Sequence, residues 1–166
     1  LGTFFGYQKY SKVEPDVMSL AKALGAGTPL GAFLTKEFCS VLEPGDHGST
    51  FGGNALTTAA GGAAAQVLLD EKLPEMANSN GNYFMEKLKS LMNEFSFITE
   101  VRGKGLLIGL EMSKDISPEI VSRCLDKGLL INAVRPNMIR FMPPLNVTKN
   151  QIDKSVSILI SVLKEM

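Results

Sequence analysis

Apolar and polar positions follow two different rhythms along this chain. In the first third the apolar residues come as short runs punctuated by glycine, Val17-Met18-Ser19-Leu20-Ala21 and Gly31-Ala32-Phe33-Leu34. Short runs bounded by turn signals predict buried strands. Glu43-Pro44-Gly45-Asp46-His47-Gly48 predicts a loop. From Ala55 to Leu69 small residues continue without a breaker, which predicts a helix with Asn54 as its N-cap. Leu73-Pro74 is expected to interrupt it, and Gly81 to mark either a break or a close packing contact. A second helix is predicted from about Asn82 to Phe95, where Phe84, Leu88, Leu91, Met92 and Phe95 recur at helical spacing as a core stripe.

From Thr99 the texture changes. Thr99–Met112 reads as a strand pair, or one long bent strand, around Arg102-Gly103-Lys104-Gly105. Ser117-Pro118-Glu119 supplies a cap followed by proline in the first helical turn, and Gly128 should end that helix. Strands are predicted over Leu129–Val134 and Met138–Met142, the latter stopped by Pro143-Pro144. Thr148-Lys149-Asn150-Gln151 has the form of a capping box, and Ile152, Val156, Leu159 and Leu163 then give one apolar stripe on a terminal helix. Alternating strands and helices predict a compact α/β lobe. The boundary between two lobes is placed near residue 75, giving 1–75 and 76–166.

Composition narrows the function classes. Of 166 residues, 45% are hydrophobic and 20% charged, ordinary for a globular protein able to bury a core. Lys+Arg 17 balance Asp+Glu 17, and no basic run carries interleaved aromatics. Nucleic acid and anionic membrane are therefore not expected as partners. Cys39 and Cys124 form no CxxC motif and read as free thiols of a reducing, cytoplasmic setting, although a pair so distant in sequence can still bond. With these and a single histidine, His47, no metal site is expected. Dinucleotide fingerprints, a P-loop and a nucleophile elbow are all missing from the sequence.

Three constellations remain. Lys22 ends an apolar run and opens into Leu24-Gly25-Ala26-Gly27-Thr28-Pro29-Leu30-Gly31. A lysine at such a junction can enter a pocket, and burial there would favour the neutral amine, the form that attacks a carbonyl. Position alone equally suits a solvated lysine at a strand end. Gly45-Asp46-His47-Gly48-Ser49-Thr50-Phe51-Gly52-Gly53-Asn54 sets two hydroxyls among glycines before a helix, the parts of a phosphate cradle or simply of a turn. Arg140, inside Met138-Ile139-Arg140-Phe141-Met142, needs an anionic partner, whether a structural carboxylate or a ligand. Arg135, before Pro136-Asn137, reads as a solvated loop residue.

Val13-Glu14-Pro15-Asp16 and the strand, lysine and glycine turn that follow, to Pro29-Leu30-Gly31-Ala32, resemble the cofactor-lysine segment of the class III aminotransferases, which use pyridoxal phosphate. Ala23 and Ala26 stand where that family commonly has glycine, and Ala55 where it has proline. The resemblance implies a fold-type I architecture, with residues 1–75 an incomplete portion of the cofactor-binding large domain and 76–166 the small α/β domain. It implies Lys22 as the catalytic lysine that carries pyridoxal 5'-phosphate. Thr50, with Ser49 beside it, is implied as a phosphate contact reaching across a homodimer, and Arg140 as the clamp on the substrate carboxylate. Arg102 in Val-Arg-Gly-Lys-Gly is implied as structural, and Asn132 has no assigned role.

The implied reaction is amino-group transfer between an amino acid and a 2-oxo acid, N-acetylornithine and 2-oxoglutarate by the wording around Phe51. Ornithine or another ω-amino acid is the alternative donor. The resemblance matches the C-terminal part of a family member and places the other cofactor contacts before Leu1. The isolated chain is then expected to be a non-catalytic fragment, with an incomplete sheet in its first lobe and a better-formed second lobe.

Overall fold

The computed structural model describes residues 2–10 and 12–166. Two compact units emerge, Tyr10–Lys72 and Leu73–Met166, the latter together with residues 2–9.

In the first unit, β1 (Val17–Leu20) and β2 (Ala32–Thr35) form a two-stranded antiparallel ladder, with Val17 opposite Thr35 and Leu20 opposite Ala32. Both strands lie where the apolar runs predict them. Their expected burial is not realised, because Val17, Phe33 and Leu34 are all exposed and no further strand extends the ladder among the described residues. A ladder this short leaves both faces without a covering layer. The helix α1 (Ala55–Asp70) is capped as predicted: the Asn54 side chain accepts from the Thr57 N–H at 3.1 Å. It meets the glycine loop through Gly61, where a Cβ would stand 2.5 Å from Leu30 Cδ2 and 2.9 Å from the Leu24 carbonyl oxygen. Only a residue without a side chain fits there.

The second unit carries the core. The strands β3 (Ile98–Lys104), β4 (Leu107–Met112), β5 (Asn132–Arg135) and β6 (Met138–Phe141) form an antiparallel sheet in the order β3-β4-β6-β5. Alternation puts Ile108, Leu110, Met112, Ile139 and Phe141 on one face, where they pack with Phe84, Leu88, Ile120, Leu159 and Val162 of the helices α2 (Leu73–Ser90), α3 (Ser117–Asp126) and α4 (Lys149–Leu163). The helices therefore cover one face of the sheet. Its other face carries Glu100, Arg102, Gly109, Glu111, Met138, Arg140 and Asn132.

Several local expectations hold here. Thr148 and Gln151 form the capping box, and Ile152, Val156, Leu159 and Leu163 are all buried. The strand pair over 98–112 turns at Gly105-Leu106, at the end of the predicted turn, with Gly105 at φ 54°.

Others are corrected. α2 begins at Leu73, well before Asn82, because proline is tolerated in a first turn whose N–H groups have no intrahelical partner. The break falls instead at Lys72, at φ 51°. Leu73, Ala77, Gly81, Phe84 and Leu88 then make one buried stripe, and Gly81 is a close contact rather than a break. A Cβ on it would stand 2.8 Å from Gly105 Cα and closer still to the Gly105 carbonyl. Met92 leaves the stripe and is exposed, since the chain tightens into a 3-10 turn at Leu91–Asn93. Ser117 does not cap α3: its hydroxyl donates to the Arg135 carbonyl, and Ile116 occupies the cap position. β5 starts at Asn132 rather than Leu129, with Leu130 turned to solvent, and β6 ends at Phe141.

Two polar ties bind α2 to the terminal helix and its approach. Tyr83 Oη donates to Asp153 Oδ1 at 2.8 Å, and Asn80 Nδ2 to the Val147 carbonyl at 2.8 Å. The Tyr83 hydroxyl, with Lys87 beside it, holds the Asp153 carboxyl below its usual range.

Candidate active site

Lys22 follows β1 directly, after Ala21, and opens a 3-10 turn, Lys22–Gly25. Its backbone has φ 56°, the left-handed region, which costs a residue with a Cβ about 1–2 kcal/mol. The loop that imposes this is fastened by Thr28, whose hydroxyl donates to the Gly25 carbonyl at 2.7 Å. Ala26, where the resembling sequences carry glycine, also sits at φ 50°. Its added methyl thus stands in a conformation that favours glycine, a larger departure than one small group suggests.

The expected burial of Lys22 is not found, for the side chain is exposed. The unit Tyr10–Lys72 stacks nothing over it, so this chain alone does not desolvate the amine. What the unit does provide is an amine with no hydrogen bond or ion pair among the described residues. Lys36 differs: its Nζ is held by Asp16 at 3.0 Å and Glu14 at 3.6 Å.

The hydroxyl segment is a chain of turns. Asp46 Oδ2 accepts from the Glu43 N–H at 2.7 Å, Ser49 Oγ from the Gly52 N–H at 3.0 Å, and Asn54 Nδ2 donates to the Phe51 carbonyl at 2.9 Å. Ser49 is thereby engaged in shaping the turn. The Thr50 hydroxyl is exposed and makes no hydrogen bond among the described residues. Lys22, Ser49 and Thr50 share one unit, and Arg140 belongs to the other.

Arg140 lies in the middle of β6, half-buried, opposite Gly109 of β4 and Asn132 of β5. Its Nη2 donates to Asn132 Oδ1 at 3.0 Å, and its Nε is buried with no partner. No carboxylate lies within ion-pair reach of it among the described residues. Arg102, one strand beyond Gly109 on the same face, differs again, because Glu100 and Glu111 both pair with its Nη1, the latter at 2.6 Å. Arg135 is the last residue of β5 rather than a loop residue, and is exposed as expected. An open groove of about 930 Å³ runs along this face, bordered by Arg102, Gly109, Val134, Arg135, Met138 and Arg140. Asn132 has no role legible from sequence alone. Its cross-strand place opposite Arg140 was the missing signal, and register is invisible before strands are paired.

Cys39 and Cys124 are both free thiols, and burial pushes the Cys124 thiol up to about 11. No helix among the described residues is long and apolar enough to cross a membrane.

The family model of the class-III aminotransferases matches residues 1–163. The acetylornithine aminotransferase of Caldanaerobacter subterraneus is 47% identical over 165 residues, covering 99% of this chain and 42% of that protein. Among solved structures, the acetylornithine aminotransferase of Elizabethkingia anophelis superposes with a TM-score of 0.90 at 36% identity, over 99% of this chain and 42% of that one. The ornithine aminotransferase of Toxoplasma gondii, described with partial occupancy of PLP at its active site, gives a TM-score of 0.87 at 34% identity, over 98% of this chain and 39% of that one. The chain thus spans well under half the length of the relatives it matches. It belongs to the class III aminotransferase family, with the fold-type I architecture of that family.

Proposed function

We propose that this chain forms the C-terminal part of a pyridoxal-phosphate-dependent aminotransferase that moves an amino group from N-acetylornithine to 2-oxoglutarate. The observation that carries the reading is Arg140: a half-buried guanidinium that, among the described residues, has no partner for Nε and no carboxylate beside it, on the border of an open groove. Such a cation is poised for an anionic ligand, and its planar fork matches a carboxylate.

Two residues of this chain fit the cofactor. Lys22 offers a primary amine, unpaired among the described residues and carried on a strained backbone, the group that condenses with an aldehyde. Thr50 offers an uncommitted hydroxyl next to glycine-rich backbone, suited to a phosphate oxygen. When bound, pyridoxal phosphate supplies an electron sink that stabilises negative charge on the substrate carbon. Arg140 binds and orients the substrate carboxylate. Lys22 Nζ takes the proton from the substrate carbon that bears the amine, and the strained loop keeps that nitrogen at one place. The remaining cofactor contacts come from sequence outside this chain, and a homodimer in the cytoplasm completes the site across its interface.

The test is made in the complete enzyme. Borohydride reduction is expected to fix the cofactor to the peptide containing Lys22, and Lys22→Ala to abolish nearly all turnover. A label on Lys36 or Lys104 overturns the assignment. Arg140→Lys is expected to raise KM for both substrates with cofactor affinity unchanged. Rates on N-acetylornithine, ornithine and other ω-amino acids decide the donor, and a preference for free ornithine replaces the first substrate by the second.

A further inference from the structure

Asn80-Gly81 is the one Asn-Gly step in the sequence, and it lies in the middle of α2. Asparagine before glycine is the step most prone to lose its side-chain amide. Glycine has no Cβ to shield its nitrogen, and its backbone turns freely toward the neighbouring side chain. The tertiary structure asks for both residues. Gly81 is buried against the Gly105 turn, where a Cβ would stand 2.8 Å from the Gly105 Cα, so any side chain there is penalised. Asn80 is half-buried, and its Nδ2 donates to the Val147 carbonyl at 2.8 Å, tying α2 to the approach of α4. Two separate packing demands thus bring the labile pair together.

The same helix keeps the pair silent. In α2 the Gly81 N–H runs along the axis to the Ala77 carbonyl, and the Asn80 amide is engaged with Val147. Deamidation needs the Gly81 nitrogen, freed of its proton, against Asn80 Cγ, and Asn80 must leave its helical dihedrals to allow that.

We propose that Asn80-Gly81 is a latent deamidation site, closed while α2 is seated and opened when the second unit unfolds, and that its reaction makes the unfolding irreversible. Gly81 N bonds to Asn80 Cγ while the Cγ–Nδ2 bond breaks, and Nδ2 leaves as ammonia with the Gly81 proton. Water then opens the succinimide, placing hydroxyl on one carbonyl carbon and returning a proton to the nitrogen. Opening at Cγ yields aspartate, and opening at the Asn80 main-chain carbonyl yields isoaspartate. Both products spoil the seat. Aspartate turns the donor that faces the Val147 carbonyl into an anionic acceptor. Isoaspartate routes the main chain through Cβ and displaces Gly81 from the place where α2 clears the Gly105 backbone.

The experiment uses the complete holoenzyme, held in mildly alkaline heavy-oxygen water either folded or unfolded in urea, with the peptide containing Asn80 followed by mass spectrometry. The unfolded sample should replace the Asn80 amide by solvent oxygen roughly a hundredfold faster or more, because the folded chain reacts only from its rare open state. Asn82, followed by Tyr83 in the same peptide, should keep its amide over that time. Equal rates at Asn80 in the two samples, or an intact Asn80 after Asn82 has reacted, overturn the site. For the irreversibility, the enzyme is unfolded for increasing times and returned to native buffer with cofactor. The folded fraction, read by circular dichroism, should fall in step with product at residue 80. Asn80→Ala loses one hydrogen bond and should unfold at lower urea, yet recover roughly threefold more after the longest incubation. A merely structural asparagine does not give that reversal of order. The parent series decides alone if the variant does not fold, and recovery that is independent of the state of residue 80, in either protein, overturns the proposal.

Discussion

Gly81 tests the packing of the second unit most sharply. It sits in the middle of α2 on the buried stripe, and its bare Cα faces the Gly105 turn between β3 and β4. In Gly81→Ala the new methyl would lie 2.8 Å from Gly105 Cα and nearer still to its carbonyl, where carbon contacts prefer ~3.5–4.0 Å. Helix and hairpin must then separate by roughly 1 Å. The obstructing atoms are backbone, in a turn already fixed at φ 54°, so no rotamer change relieves them.

Overpacking of this kind costs about 1–3 kcal/mol, and the rigid obstacle argues for the upper end. Replacing glycine by alanine inside a helix returns about 1 kcal/mol of propensity. The net expectation is a loss of about 2 kcal/mol. With a urea dependence of about 2 kcal/mol per molar, the unfolding midpoint of this unit should fall by about 1 M. Gly128→Ala in the same unit is the comparator: no atom lies within 4 Å of its Cβ, but its φ of 80° strains any side chain, for a loss of about 1 kcal/mol. Urea titrations followed by circular dichroism measure both. An unchanged or raised midpoint for Gly81→Ala would show that α2 does not seat on the hairpin through this glycine.

Three further outcomes are expected. Ala26→Gly removes a methyl from a left-handed residue and should stabilise the first unit by about 1 kcal/mol, read as slower hydrogen exchange over the loop after β1; faster exchange refutes it. Burial raises the Cys124 thiol from 9.0 to about 11, so its contribution is whole below pH ~9 and is lost between pH ~9 and ~11, where the unfolded chain releases the proton first. That is a decline of order 2 kcal/mol over the window, absent in Cys124→Ala, and a flat pH profile in the parent contradicts it. Phe38, Val41, Phe51 and Leu56 are between 73% and 81% exposed, so the isolated chain should self-associate at micromolar concentration in light scattering, and Phe51→Ser with Leu56→Ser should reduce this. A monodisperse parent monomer would count against it.

Features whose cause lies within a few residues were legible in the sequence. Asn54 as a cap, the Thr148–Gln151 box, and the apolar stripe from Ile152 to Leu163 depend on local hydrogen bonds and helical period, and each stands where the pattern put it. The resemblance around Lys22, Thr50 and Arg140 was equally visible as a string. What the string could not contain was decided by partners distant in sequence. Gly81 was ambiguous until Gly105 met it, and Ala77 and Gly81 hid the first half of α2 because neither registers as strongly apolar. Ser117 looked like a cap, and the Arg135 carbonyl claimed its hydroxyl instead. The strain at Lys22 and Ala26 follows from how the loop closes, which composition does not encode. Arg102 finds one glutamate two residues before it on its own strand, but Glu111 beside it and Asn132 beside Arg140 come from neighbouring strands and depend on register. The two arginines acquire different electrostatic surroundings in part because only sheet pairing determines which side chain of a neighbouring strand stands beside each.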